Sequence, residues 1–406
     1  MKTHLSICIF LVFFAGCTPS TNKKNRLAEN ETSIPVIDIE NALNSVSNTP
    51  FKCSEFIDSI EYLPLETNKE SVFGNGQFAV PILSSSEFVY CDLKKFSLKD
   101  GKFIYQVGKR GRGPGEFTMA IASTTDIENN RIFVLDNWTH LVNIYDNSNN
   151  FIKKLDVLPE VYGIMYMGND KLILFRSYAF YGNTVPFEYQ IYDINGEKVI
   201  YTREIKSIKE ALQGKTYGTF MSFGIGHNSN WYFNNKVQFY ESFTDTVFTI
   251  ETNGTRVPRF YVNRENKKPP LSEMLDKELF ESNRSKYIMI TSVFETPKYL
   301  FLKIRKGIKE HFCARFDKVS QITKIVPLIG AFENDLSFSQ FTDFTNIPET
   351  SNGIDYFDIS IQKEKILSKM DKIPQAEWSE TAKKLYDLIK KANPEDNGII
   401  CLYKLK

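Results

Sequence analysis

Histidine, tryptophan and cysteine are scarce in this 406-residue chain, with 4, 3 and 6 copies respectively. The three histidines beyond the N-terminal segment, His140, His227 and His311, are widely separated and form no paired motif such as HExxH, so a histidine-based metal site is not indicated. The sequence also contains no GxSxG elbow, no Walker loop and no GxGxxG after a predicted strand, which removes support for a hydrolase or nucleotide-binding enzyme. No catalytic residue is therefore predicted.

Net charge of either sign is also nearly absent, since 50 Lys and Arg residues balance 49 Asp and Glu residues. Without a global positive field the chain is not expected to bind nucleic acid. Aromatic residues, by contrast, are abundant, with 33 Phe and 20 Tyr. Because aromatic side chains favour the pleated, half-buried surfaces of strands, the composition favours a β-rich fold.

The six cysteines are too few to form a dense disulfide scaffold in a chain of this length. Two of them, Cys8 and Cys17, belong to the N-terminal segment. The other four are interpreted either as buried free thiols or as including one bridge, for which Cys53 and Cys401 are the candidates. These four are Cys53, Cys91, Cys313 and Cys401.

The N-terminal segment predicts export. It begins with basic Lys2 and continues with an apolar run over residues 5–14 that is too short to span a bilayer. Small residues directly before Cys17 resemble the lipobox of bacterial lipoproteins, which implies cleavage before Cys17 and diacylation of its thiol. An ordinary secretory signal is the alternative. The expected organisation is a signal peptide (1–16), a lipidated cysteine with a flexible tether (17–50) and one folded domain (51–406).

Short strand-like runs recur every 45–50 residues or so, often around an Asp/Asn-Gly hairpin, which is typical of propeller blades. We predict an all-β, six-bladed β-propeller with small helical insertions at about 270–287 and 362–392, the second of them split at Pro374. A sixth blade assembled from both ends of the chain would close the ring and remove exposed sheet edges. The predicted blades are 78–110, 119–157, 163–205, 218–262, 288–328, and a mixed blade of 57–65, 353–361 and 398–405.

Four segments in the same order resemble the six-bladed β-propeller lipoproteins of Gram-negative anaerobes, a family related in pattern to NHL propellers. They are Cys17 with its lipobox, FIDSIEYLPLET (56–67), GKRGRGPGEF (108–117) and NPEDNGIICLYKLK (393–406). Most members of this family have no known function. The resemblance therefore implies a fold and a location in the cell envelope, and it carries over no catalytic residue.

Two neighbouring segments supply the candidate ligand-binding residues. The glycine loop, residues 108–117, either makes a sharp turn between blades or forms an anion-binding nest of backbone N–H groups with its basic side chains. The second segment carries aromatic and polar side chains that either fill the space between blades or recognise a ligand. The candidates are Lys109, Arg110, Arg112 and Glu116 in the loop, and Asn137, Trp138 and His140 in the second segment.

The expected function is that of a binding or scaffolding module for a glycan, peptide or protein partner, held by lipid at the outer membrane. The tether has no acidic run, which favours the periplasmic face. The alternative is a metal-assisted lyase or lactonase with one divalent metal on the propeller axis. Its candidate ligands, Asp92, Asp136 and Asp193, are equally interpreted as turn-forming residues at strand ends. No other cofactor is expected.

Overall fold

Six small β-sheets form a ring, so the predicted six-bladed β-propeller is confirmed. The computed structural model of the protein describes residues 34–73, 81–83, 87–176, 187–205, 229–241, 244–270, 273, 277–341, 343–346 and 352–406. The predicted signal peptide and Cys17 lie outside the described residues.

The strands of the first half of the ring follow the chain order. The N-terminal strands are β1 (Val36–Asp38), β2 (Phe51–Lys52) and β3 (Ile57–Pro64). Blade I contains β4 (Pro81–Leu83), β5 (Phe88–Cys91), β6 (Lys94–Ser97) and β7 (Phe103–Gln106), and it is followed by the short strands β8 (Lys109–Arg110) and β9 (Glu116–Phe117). Blade II contains β10 (Ala120–Asp126), β11 (Arg131–Asp136), β12 (Leu141–Tyr145) and β13 (Phe151–Asp156). Blade III contains β14 (Val161–Tyr166), β15 (Lys171–Arg176), β16 (Phe187–Asp193) and β17 (Lys198–Glu204).

The second half of the ring continues in the same way. Blade IV contains β18 (Ser229–Phe233), β19 (Lys236–Glu241), β20 (Thr246–Ile250) and β21 (Arg256–Asn263). Blade V contains β22 (Ile288–Glu295), β23 (Tyr299–Lys306), β24 (Glu310–Asp317) and β25 (Thr323–Pro327). After β26 (Phe332–Glu333), blade VI contains β27 (Thr345–Asn346), β28 (Gly353–Phe357) and β29 (Ile399–Leu405). The α-helices are α1 (Ile39–Ala42), α2 (Lys277–Asn283), α3 (Ile359–Met370) and α4 (Glu380–Lys391).

Blade VI closes the ring by combining both ends of the chain, as predicted. Its strand order is β27-β28-β29-β3, and the outermost strand β3 pairs antiparallel with the C-terminal strand β29. Cys401 lies opposite Tyr62, and Ile399 lies opposite Pro64. Hydrogen bonds between sequence-distant strands therefore satisfy edges that an open array would leave exposed.

Blade IV has a fifth strand, formed by residues that were predicted to belong to the tether. Strand β1 pairs in parallel with the outer strand β21, with Val36 opposite Tyr261. Helix α1 follows directly, and Ile37 and Ile39 are fully buried against blades IV and V. The ordered part of the chain thus begins upstream of residue 51, because two isoleucines bury their side chains there.

Two-residue turns join some neighbouring strands within the blades, such as β5 to β6 and β18 to β19. Between β18 and β19, Asn234 and Asn235 both have positive φ, at 50° and 56°. Two such residues in a two-residue hairpin match the twist of the flanking strands, and asparagine tolerates this conformation better than most residues. The frequent Asn and Asp residues between strands thus have a structural role.

The largest core cluster lies between blades V and VI and is rich in phenylalanine. Phe294 stacks on Phe301 with ring centroids 4.6 Å apart, and Phe56 packs against Phe301 at 5.1 Å. All four cysteines of the domain are free and buried, so the structure contains buried thiols rather than the alternative Cys53–Cys401 bridge. Burial raises the pKa of each thiol, which makes the reactive thiolate form unfavourable.

Helices α3 and α4 cover this cluster from outside the ring. Asp358 caps α3 by accepting the Ile361 N–H, and Ser379 caps α4 by accepting the Ala382 N–H at 2.9 Å. Each helix buries one apolar stripe, which includes Ile366 on α3 and Leu385 on α4. No helix within the described ranges is long and apolar enough to cross a membrane.

Candidate functional site

The glycine loop is held together by its own carboxylate. Strands β8 and β9 pair in parallel, with Lys109 opposite Glu116. One Glu116 carboxylate oxygen accepts the Gly113 N–H at 2.7 Å, and the other lies 3.1 Å from the Lys109 ammonium. The Gly113 N–H and the Lys109 ammonium hold the pKa of Glu116 below its usual value. Glu116 therefore occupies the place in the loop that an external anion would need.

A buried carboxylate joins the glycine loop to the second predicted segment. Asp136 is fully buried at the end of β11, and it accepts the N–H groups of Thr118 at 2.7 Å, Met119 at 3.0 Å and Trp138 at 3.1 Å. Burial alone would raise the pKa of Asp136, but these hydrogen bonds hold it below its usual value. The structure thus brings the two predicted segments together, with an aspartate as the connecting residue.

The individual side chains of these two segments differ in their exposure to solvent. The Arg110 guanidinium donates to the Thr118 carbonyl at 3.2 Å, whereas Arg112 is exposed. His140 adopts a left-handed conformation with φ of 57°, and Trp138 is 67% exposed. Trp138 is therefore the ring in this region that a partner could reach.

The three aspartates considered as axial metal ligands lie apart from the axis. The first strands of the blades line the ring, since these strands contact one another around it. Asp92 follows the second strand of blade I with φ of 51°, and Asp193 ends the third strand of blade III, where it pairs with Lys171 at 3.2 Å. Among the described residues, no three His, Cys, Asp or Glu side chains lie close enough to share a metal ion.

A more promising site is a cavity of about 510 Å³ between helix α3 and residues 328–341, here called the α3 cavity. Its floor is apolar, and it is formed in part by Phe332 and Phe341, whose ring centroids are 5.0 Å apart. Phe341 also packs against Phe56 at 5.6 Å, so the floor is continuous with the core between blades V and VI. Such interlocked rings give the cavity a preformed apolar wall.

Three lysines line the same cavity. Lys303, on β23, forms an ion pair with Asp343. Lys365 and Lys369 are exposed on α3, and neither has an acidic side chain within ion-pair distance in the described part of the chain. The helix side of the cavity therefore presents two ammonium groups with no described carboxylate within ion-pair distance.

An amide without a partner adds to this polar wall. Gln362 lies one helical turn before Lys365 and also lines the cavity. Its side-chain oxygen is buried and has no hydrogen-bond partner within the described ranges. Since a buried polar atom without a partner costs free energy, a rotation that brings this amide into contact with a bound molecule would be favourable.

A titratable carboxyl lies close behind Lys303. Burial raises the pKa of Asp355 to about 7, and the nearby Asp343 carboxylate also raises it. The Tyr356 N–H, which donates to Asp355 at 2.8 Å, lowers this pKa in part. Lys303 lowers the pKa of Asp355, but less than burial raises it. Two carboxyl groups thus lie near Lys303 at the inner side of the cavity without lining it, and the charge of one of them, Asp355, changes near neutral pH.

The α3 cavity was not predicted from the sequence. The spacing of Gln362, Lys365 and Lys369 places all three on one face of a predicted helix, and that signal was available. The opposing wall comes from a loop about 30 residues earlier in the chain, and its position depends on the packing of blade V.

Comparisons with known proteins support the fold. A family model described as a domain of unknown function (DUF4934) matches residues 34–404. Among solved structures, a Bacteroides fragilis protein assigned as exported is 18% identical with a TM-score of 0.65, over 92% of this chain and 100% of the other. A member of the DUF4221 family from Bacteroides vulgatus is 9% identical with a TM-score of 0.49, over 86% and 97%. No curated protein matches the chain. At these identities the first likeness concerns the fold alone.

Proposed function

This chain belongs to the family described as a domain of unknown function (DUF4934), and we propose that it is a lipid-anchored propeller of the cell envelope that binds a glycan, peptide or protein partner. The observation that carries this proposal is the α3 cavity, where an apolar floor faces two ammonium groups that pair with no carboxylate among the described residues. Preformed cavities of this size with a few polar groups are typical ligand sites. The glycine loop supports the proposal less, because Glu116 already occupies it.

The proposed location rests on residues 1–17 and on the likeness to a protein assigned as exported. In this proposal Cys17 carries the lipid, and the tether holds the propeller at the periplasmic face of the outer membrane. Cys17→Ser should abolish labelling by a palmitate analogue and move the protein to the soluble periplasmic fraction. Cys53→Ser, which changes a buried thiol, should keep the label. Release of the native protein by protease treatment of intact cells would contradict the periplasmic placement.

The binding role is tested by screening glycan and peptide arrays with the soluble chain that lacks residues 1–17. Every described strand lies downstream of these residues, so their removal deletes none of the described ring. The expected result is selective retention of one ligand class, weakened when Lys365 and Lys369 are both changed to glutamate. Retention of nothing would contradict the binding role, and retention unaffected by the double substitution would move the site away from the α3 cavity.

A further inference from the structure

We propose that the natural ligand of the α3 cavity is an amphipathic carboxylate, a small molecule with one anionic end and an apolar body. This inference rests on the proposed function, because it names the ligand class of the same site.

The charge of the cavity is unbalanced on the helix side. Lys365 and Lys369 are four residues apart on α3, a spacing at which like charges repel and destabilise a helix. Neither has a carboxylate within ion-pair distance in the described part of the chain, whereas Lys303 across the cavity is paired with Asp343. An anion between the two helix lysines would reduce this repulsion. Lys303 would attract the anion less, because its charge is already balanced by Asp343.

The amide of Gln362 lies on the same side as the two lysines and forms no side-chain hydrogen bond within the described residues. Rotation of the amide about its last side-chain bond exchanges its oxygen and its NH₂ group, so it can present a donor to an anion. Together Gln362, Lys365 and Lys369 give one carboxylate several donors at a single end of the cavity.

The remaining wall is apolar. Phe332, Phe338 and Phe341 line it, and Leu328 and Ile366 add aliphatic surface. At the rim, Ile329 is 95% exposed, which is unusual for an isoleucine. The hydrocarbon body of a ligand would contact several of these apolar side chains while its anionic end remains near α3.

The carboxyl groups near Lys303 limit the number of charges that the ligand can carry. Asp343 neutralises Lys303, and Asp355 lies near both of them. A molecule with anionic groups at both ends would bring its second charge toward these carboxyl groups. A neutral molecule would leave the helix lysines unpaired. The geometry therefore fits a single anionic head group followed by an apolar body.

The test uses calorimetric titration of the soluble chain lacking residues 1–17 with butyrate, hexanoate and decanoate, and with decyl glucoside as the neutral probe. Affinity should rise about two- to fourfold per methylene group that the cavity buries. Lys365→Glu combined with Lys369→Glu should weaken decanoate binding at least tenfold. The matched control is Lys372→Glu combined with Lys384→Glu, which makes the same charge change at exposed lysines that do not line the cavity. Circular dichroism checks that both variants fold.

Three results would overturn the inference: no carboxylate binds, the cavity substitutions weaken binding no more than the control pair, or decyl glucoside binds as tightly as decanoate. An array ligand that depends on Lys365 and Lys369, together with failure of the carboxylates, would reject this ligand class and leave the binding role intact. Failure of both experiments would reject the binding role itself.

Discussion

The glycine loop and the α3 cavity both present three basic side chains, but they differ in how those charges are used. In the loop, Lys109 pairs with Glu116, whose carboxylate also accepts a backbone N–H of the loop. In the cavity, Lys365 and Lys369 have no such partner within the described residues. In the loop a carboxylate of the same segment pairs with the basic group, as Glu380 does with Lys383 on α4, whereas no described carboxylate pairs with Lys365 or Lys369 on α3.

Among the substitutions considered, we expect the loss of the buried Asp136 carboxylate, which joins the glycine loop to the second predicted segment, to destabilise the protein most. Asp136→Ala leaves the N–H groups of Thr118 and Met119 without their acceptor. We expect the free energy of unfolding to fall by about 3 kcal/mol, measured by urea denaturation. Asp193→Ala, at a more exposed strand end, is the control and should cost less. Equal losses of unfolding free energy in the two variants would show that the burial of Asp136 does not determine its contribution to stability.

The two regions each contain a glycine with positive φ, and these two glycines differ in how closely other atoms pack around them. Gly115, with φ of 69°, lies so close to β13 that a Cβ atom would be 2.6 Å from the Phe151 Cβ atom. Gly330, at the cavity rim with φ of 74°, has no atom within 4 Å of that position. Gly115→Ala should therefore cost about 2–3 kcal/mol in urea denaturation, and Gly330→Ala about 1 kcal/mol. A larger loss for Gly330→Ala would contradict the open rim.

The buried carboxyl of Asp355, close to Lys303, should make stability depend on pH. Because the pKa of Asp355 is raised to about 7 in the folded protein, its contribution is fully present below pH 4 and is lost as the pH rises toward and through 7. The free energy of unfolding of the native protein should fall by about 2–3 kcal/mol more between pH 5 and pH 8 than that of Asp355→Asn, measured by urea denaturation. An unchanged pH dependence in the variant would show that Asp355 ionises normally.

The smallest effect is expected at the surface of the glycine loop. Lys109 is 77% exposed, and exposed ion pairs contribute little to stability. Lys109→Ala should leave the urea midpoint within experimental error and should not alter decanoate binding. A clear loss of stability would mean that this ion pair, rather than the Gly113 hydrogen bond, organises the loop.

Much of the fold could be predicted from the sequence because blade strands are local. The alternating apolar runs and Asn/Asp turns predict the five consecutive blades within a few residues, except where blade IV begins at Ser229 rather than at 218 among the described strands. The mixed blade followed from the need to cover sheet edges. Strand β1 was missed, because three residues in parallel pairing leave no periodic signal of their own.

The site was less predictable. The glycine loop drew attention because glycine and basic residues are conspicuous, yet whether its N–H groups are free depends on the direction of one side chain, Glu116. The α3 cavity needs the spacing between α3 and residues 328–341, which the packing of blades V and VI sets. No local pattern carries that distance.

The sequence by itself determined the strand period, the turn residues, the caps of α3 and α4 and the apolar stripes that hold these helices against the ring, since each depends on contacts between near neighbours in the chain. The tertiary structure decided which charges are paired. An ion pair forms only when two side chains come within about 4 Å, and whether Lys109 or Lys365 has such a neighbour depends on the three-dimensional arrangement of the surrounding segments.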